Sequence, residues 1–579
     1  MRLSCVKSKN ATQFYVIESY RDINGKNTSR IVEKLGNEQE VIAKANGEDP
    51  VVWAKKYVDN LNKVEKENSR KIIIEKYQNV QIPKDSQNIF NCGYLFPEKI
   101  YYDLKLNDIC KKISNDFKFE YDLNNILSRL VLARIIEPAS KLATNEFSKK
   151  FLEQPNFELQ HIYRALEVIA EKNDFIQSEL YKNSLNAIDR NNKILYYDCT
   201  NYFFEIEQED ELRKYGPSKE HRPNPITQMG LFMDGNGIPL AFNINSGSTN
   251  EQQTMTPLEE KIIKDFKLSK FVVCTDAGLA SNDNRKFNNE DDRAFITTQS
   301  IKKLKKYLKE WALDTTGWKL EGSNKIYDIS KIEESDESKE KYKNSIFFKS
   351  RWINENDLEQ QLIVTYSLKY KNYMRNIRNI RNGQIERARN AINSKNFKLD
   401  KHNQNDFKRF IKSTNITNDG EIADKKIYTI NYDTIADEEK YDGFYGVCTN
   451  LDDSPIDIIK VNKRRWEIEE SFRIMKSEFK ARPVYLSRED RIKAHFMVCY
   501  IALLIYRILE KKLDEKFTTE QIIYCLRNMN MLKESSKGFL PAYTRSELTD
   551  LLHEKFGFRT DFEILTEKNL KKIFKDIKK

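Results

Sequence analysis

A chain of 579 residues is longer than one hydrophobic core supports and points to several structural units. Its 39% hydrophobic content, with 29 Tyr and 32 Phe, excludes general disorder, while 32% charged residues make for a very polar surface. The net charge of +10 permits a polyanionic partner without requiring one. Eight scattered Cys, with no CxxC pair and no His at ligand spacing, exclude structural zinc and a secreted disulfide framework, so reduced, largely buried thiols are expected. The start, MRLSCVKSKNATQFYV, has no apolar leader segment, and the longest apolar run, Phe496 to Ile505, is too short to span a bilayer. A cytoplasmic protein with no membrane partner is the expectation.

Residues 1 to about 40 alternate in strand fashion around Ile23-Asn24-Gly25-Lys26, a hairpin turn signal, so a β-hairpin should open the chain. From Val51 to about Val80, and again over 94–185, the pattern is helical, including NNILSRLVLARIIEP, ended by Pro138, and ELQHIYRALEVIAE. Residues 1–185 are therefore expected as a mainly helical N-terminal region. Short helices carrying Arg and Lys suit DNA-end binding, and they suit any other helical domain as well.

At Lys193 the character changes. KILYYDCTNYFFE reads as a nearly continuous apolar strand delivering Asp198 near its end, with Thr200 and Asn201 just beyond. ITQMGLFMD and IPLAFNINSG form a hairpin about Gly235-Asn236-Gly237, the helical TMTPLEEKIIKDF follows, and the strand KFVVCTD delivers Asp276. With AFITTQS as a further strand, the pattern is an α/β layer domain with a mixed sheet whose first part spans 190–300. Residues 301–440 are charge-rich and read as an inserted β-rich subdomain. Within it Arg375, Arg378 and Arg381 recur along one helical side, either a solvated face or a basic stripe for phosphates. YDGFYGVCTN restores an apolar strand at the start of a second core part, 441–512, in which RIKAHFMVCYIALLIYRILEKKL reads as a core helix. The region 513–579 is basic and weakly helical.

Between those last strand and helix elements, NKRRWEIEESFRIMKSEFK runs from Asn462 to Lys480 without Gly or Pro and is expected as one long helix. Ser454-Pro455 is a start signal and Arg482-Pro483 a stop. At about 100° per residue, Asn462, Arg465, Glu469 and Lys476 share a narrow stripe beside the apolar Ile468, Phe472, Met475 and Phe479. Glu467 and Glu470 project away from that edge. An amphipathic helix with its charges in water explains this pattern on its own.

Two apolar strands, each carrying an Asp, and a helix with Glu469 beside its buried face together suit two divalent metal ions poised over a phosphodiester. Hard oxygen ligands favour Mg²⁺ or Mn²⁺, and the lack of a His or Cys cluster disfavours zinc and iron. For a single strand-end Asp, capping of the following turn is the ordinary role. Cys199 and Cys274, beside the two Asp, read as small core residues.

The words YYDCT, CTDAGLAS and RRWEIEESFRIMKSEFKARPVY are similar to blocks of the DDE transposases of the insertion-sequence-four type. The chain resembles that family through the signature Tyr-x2-Arg-x3-Glu-x6-Lys, with Arg465, Glu469 and Lys476 at its spacings and Asn462 where the family has Tyr. The resemblance covers about 190–300 and 440–510 well. It implies a ribonuclease-H-like core carrying a β-rich insertion, and cut-and-paste transposition by nicking at element ends followed by strand transfer into target DNA. It further implies that Asp198, Asp276 and Glu469 hold two Mg²⁺ or Mn²⁺ ions and that Arg465 and Lys476 contact phosphates near the cut. The partners implied are double-stranded DNA, as element ends and target, and a second copy in a dimeric synapse at the bacterial nucleoid. KYGPSKEHRPNPITQ is also similar to a family stretch, where Lys219, His221 and Arg222 are either DNA contacts or part of a solvated loop. A nuclease of the same fold that cuts without joining, or an inactive DNA-binding descendant, would share most of these features.

Overall fold

The computed structural model describes residues 1–7, 12–21, 27–68, 72, 74, 76–377, 379–394, 399, 406–416, 425–534 and 537–579. The chain divides into two compact units, 1–86 with 535–537, and 87–534 with 538–579. In the smaller unit the strands Arg2–Lys7, Thr12–Arg21 and Asn27–Asn37 form an antiparallel sheet. The turn expected at 23–26 lies outside the described residues. Asn37 ends the third strand and caps the helix Glu38–Ala45 through a reciprocal bond with Glu40. Phe14, Val16, Leu35, Val41, Ala54 and Val58 make this unit's core.

The larger unit is built on a ten-stranded mixed sheet. Its centre is parallel: Ile194–Phe203 lies beside Val272–Thr275, which lies beside Ala294–Gln299. On one flank Ile226–Asp234 and Pro239–Ser246 add antiparallel strands joined by the expected Gly-Asn-Gly turn, in which Gly237 takes a φ of 78° that favours glycine. On the other flank stand Phe444–Thr449, Leu358–Tyr366, Phe347–Glu355, Trp318–Leu320 and Ser323–Tyr327. Four of these strands come from 301–440, so that stretch largely prolongs the central sheet, because Leu358–Tyr366 pairs directly with Phe444–Thr449. Among the described residues of that stretch, only Ile411–Ile416 and Lys425–Ile430 form a separate two-stranded sheet.

One helix, Glu489–Lys512, organises the rest. It is long and apolar enough by composition to cross a bilayer, yet it is enclosed by protein on nearly every side. The helices Leu95–Asp103, Leu123–Ile136 and Leu159–Glu171 pack on it, and the main core runs continuously from Phe90 to Ile577. The helical stretch over 94–185 therefore shares a core with the sheet, and the chain divides at residue 86, because the apolar faces of those helices are covered by Glu489–Lys512. Residues 515–579 add the helices Thr519–Asn528, Glu547–Phe556 and Glu567–Ile577 to this core. Cys92, Cys110, Cys199, Cys274, Cys448 and Cys499 are buried free thiols.

Two buried ionic features have consequences. Arg381 turns inward and forks onto Asp442 at 2.9 and 3.1 Å, so it holds its helix to the sheet and is unavailable to phosphates. The side chain of Arg375, and Arg378 as a whole, lie outside the described residues. Glu259, fully buried, accepts from Asn288 at 2.8 Å through one oxygen while the other has no partner. Burial pushes its carboxyl up to about 8. A folded-state value above the ordinary one means a penalty absent below about pH 4.5 and complete above about pH 8. Glu259→Gln is therefore expected to match wild type in thermal unfolding at pH 5 and to exceed it at pH 9, by up to about 4 kcal/mol. A difference independent of pH would show that Glu259 is ionised or hydrated in the fold.

Candidate active site

Asp198 stands within the strand Ile194–Phe203, which continues to Phe203 instead of ending near the Asp, because Ile226–Asp234 pairs along its whole length. The parallel ladder to the neighbouring strand stops at Tyr196 opposite Cys274. Asp198 follows Tyr196 by two residues within its strand, so alternation puts it on the face that carries Tyr196 and Cys274, and Asp276 comes directly after the strand Val272–Thr275.

That face is the one covered by the signature segment. Tyr196 Oη donates to the Val461 carbonyl at 2.9 Å, and the Cys274 thiol lies 3.6 Å from Asn462 Oδ1. The segment is not one uninterrupted helix. Pro455–Lys463 and Trp466–Arg473 are separated by a turn at Arg464-Arg465, where backbone bonds tighten to i→i+3, and a π-turn, Ile474–Glu478, follows. The start at Ser454-Pro455 stands as expected, while the helical run ends near Glu478, ahead of Arg482-Pro483. Ile468, Phe472, Met475 and Phe479 are all buried, as the apolar stripe predicts.

Arg465 is the shared counter-charge of the site. Burial opposes its charge, but Tyr445, Asp276, Glu469 and Asp198 together more than offset that, and its ionised form is strengthened. Its Nη1 lies 3.5 Å from Glu469, whose side chain is 59% exposed. Asp198 has its carboxyl pushed up to about 6, by burial and then by the charge of Asp276, against the opposing pull of Lys219, the Cys199 N–H and Arg465. Asp276 accepts the Gly278 and Leu279 amides at 2.9 and 3.0 Å through Oδ1, which is the turn-capping role expected of a strand-end Asp. Glu467 and Glu470 point elsewhere, to Arg464 and to Arg473 and Arg507.

The donor set fits a hard divalent cation in part. Asp198 and Asp276 are carboxyl groups near enough for the charge of Asp276 to act on Asp198, and burial leaves Asp198 short of positive charge. Among the described residues, however, no three His, Cys, Asp or Glu are gathered closely enough to hold a metal ion, and Glu469 pairs with Arg465 at the surface.

Lys476, the other basic residue of the signature, is 15% exposed and pairs with Glu220 at 3.4 Å. Glu220 also binds Arg482. The 214–224 loop is thus part of the site. Lys219 donates to the Cys199 carbonyl and lies 3.4 Å from Glu251; burial opposes its charge, and Asp198 and Glu251 outweigh that. His221 and Arg222 remain exposed, Arg222 lying over the Phe203 ring at 4.3 Å. Sequence reasoning left Lys219 undecided and missed Glu220, whose position depends on how the loop folds back. At the position where the signature has Tyr, Asn462 is buried and donates to Tyr445 Oη at 3.0 Å, and Tyr445 bonds Thr298 at 2.7 Å. Asn462 thereby fastens the helix to two strands. The thiols of Cys199 and Cys274 are pushed up to about 12 by burial, which fits core residues.

The family model described as "Transposase DDE domain" matches residues 203–505, more than half of the chain. The chain belongs to the transposase DDE domain family. Asp276, Arg465, Glu469 and Lys476 fall inside the matched segment of this transposase, and Asp198 lies just ahead of it. Among solved structures the transposase chain is similar to the cryo-EM structure of a piggyBac transposase synaptic complex with hairpin DNA. The identity is 10%, the alignment covers 84% of each chain, and the TM-score is 0.34. No curated protein matches.

Proposed function

We propose that this transposase is catalytically active, cutting DNA at element ends and joining the freed 3′ ends to target DNA. The observation that supports it is that the charges of Asp198, Asp276 and Glu469 all act on one guanidinium, Arg465, which lies 3.5 Å from Glu469. Asp198, Asp276 and Glu469 would hold two Mg²⁺ or Mn²⁺ ions. When bound, such ions supply an activated water or 3′-hydroxyl and stabilise the leaving oxygen. Arg465 would neutralise phosphate charge, and Lys219 would steady the Asp198 carboxylate. Lys476 is held by Glu220 and would exchange that partner for a strand phosphate.

On this reading the core is ribonuclease-H-like and the chain belongs to the insertion-sequence-four branch, for which the spacing of Arg465, Glu469 and Lys476 on one helical run is the support. It would act as a pair of copies on two DNA ends in the bacterial cytoplasm. The test is to incubate the protein with Mg²⁺, labelled DNA bordering its gene and a supercoiled target. Joined products are expected. Cleavage without joining would make the protein a nuclease of the same fold, and binding without cleavage an inactive descendant.

A further inference from the structure

Some distance along the chain from the carboxylates lies a cavity of about 220 Å³ whose lining includes Arg134, Lys141, His495 and Arg482 and no acidic residue. Arg134, Lys141 and His495 are almost wholly buried. The nearby carbonyls are already engaged. Arg134 donates to Phe479, Lys480 and Ala139, and His495 Nε2 lies 3.0 Å from the Ala481 carbonyl. With its proton on Nε2, His495 offers Nδ1 to the Lys141 ammonium at 3.4 Å.

What remains is a surplus of donors. Arg134 Nε has no partner, and among the described residues no carboxylate lies within ion-pair distance of Arg134 or Lys141. Lys141 is also the first residue of the helix Lys141–Ser148, so the positive end of its dipole adds to the same wall. Two buried cations without an anion are costly unless something negative joins them. Burial accordingly pushes the Lys141 ammonium down to about 7.

We propose that this cavity binds a phosphate group. The missing partner must be acceptor-only and anionic, and a tetrahedral oxyanion in the cavity would offset the charges of Arg134 and Lys141 beside the helix start. The DNA reading enters only in naming a strand phosphate as the source: Arg482 at the cavity is linked through Glu220 to Lys476, which places the cavity on the basic side of the carboxylate site. A strand seated there would be anchored away from the point of cutting.

The chain has five His, so the His495 signal in ¹³C-histidine-labelled protein can be assigned with His495→Gln. Inorganic phosphate at constant ionic strength is expected to move that signal saturably, and a scrambled DNA duplex to move it in the same direction. In Lys141→Met the shift should be lost or need at least tenfold more phosphate, with the His161 and His553 signals in place as reporters of folding. Phosphate at about a few millimolar, too dilute for its general exclusion effect, should also raise the wild-type unfolding midpoint saturably relative to chloride at equal ionic strength, a measurement that needs no variant. An unmoved His495 signal, an unchanged midpoint, or an equal response in Lys141→Met would overturn the site. A response to phosphate without one to duplex keeps the site and makes a free phosphate compound its ligand. DNA cleavage is scored separately, so the proposed activity stands or falls independently.

Discussion

Glu469→Ala is expected to lower Mg²⁺-dependent DNA cleavage by about a thousandfold, roughly 4 kcal/mol of barrier, with folding unaffected. The side chain is exposed and makes one weak ion pair, so little packing is lost. Glu467→Gln is the informative comparison. Glu467 lies two residues earlier but is buried, with its carboxylate on Arg464, and its loss should touch stability and leave cleavage near wild type. Equal defects in the two variants would detach Glu469 from the chemistry. Asp198→Asn should match the loss of cleavage while stabilising the metal-free protein at pH 7.5. Its folded value of about 6 stands above the ordinary 3.8, so its penalty is absent below about pH 3.8 and complete above about pH 6. Removing it is expected to gain about 2 kcal/mol at pH 7.5 and little at pH 4, read from unfolding midpoints. A uniform loss of stability would mean that Asp198 is held by bonds it cannot spare.

Asp234→Ala is expected to have the largest effect on the fold, about 3–5 kcal/mol. Asp234 closes the hairpin turn by accepting the Asn236 and Ile238 amides, and it binds Arg190 Nε at 2.6 Å with both side chains excluded from solvent. Arg190 also ties Ser184 and the carbonyls of Ile238 and Pro239. Removing the carboxylate strands that guanidinium in the interior. Denaturant unfolding should show the loss, and hydrogen exchange should show it concentrated in Ile226–Ser246. Adding Arg190→Met to Asp234→Ala should recover part of it, since the buried charge then disappears. A loss no larger for Asp234→Ala alone than for the pair would mean that water reaches Arg190.

The amphipathic stripe of the signature segment was legible because it depends on local spacing: Ile468, Phe472, Met475 and Phe479 are buried wherever the helix lands. The departures all come from packing. Helical spacing does not foresee the tightened turn at Arg464-Arg465 or the π-turn at Ile474–Glu478, which packs against the helices Glu489–Lys512 and Thr519–Asn528. The arginine series in 301–440 could be aligned by period, but which member meets Asp442 depends on a turn more than sixty residues later.

By itself the sequence determined the strands that carry Asp198 and Asp276, the hairpin at Gly235-Asn236-Gly237, the central apolar helix and the spacing of Arg465, Glu469 and Lys476. These follow from periodicity, turn chemistry and short-range sterics, which act within a few residues. Only the tertiary structure decided that four strands of 301–440 prolong one sheet, that Lys219 and Glu220 reach the site, and that Arg465 pairs with Glu469 while feeling the charges of Asp198 and Asp276. Hydrogen bonding at a sheet edge and Coulomb interactions between buried groups act between residues far apart in the chain, and only folding brings those partners together.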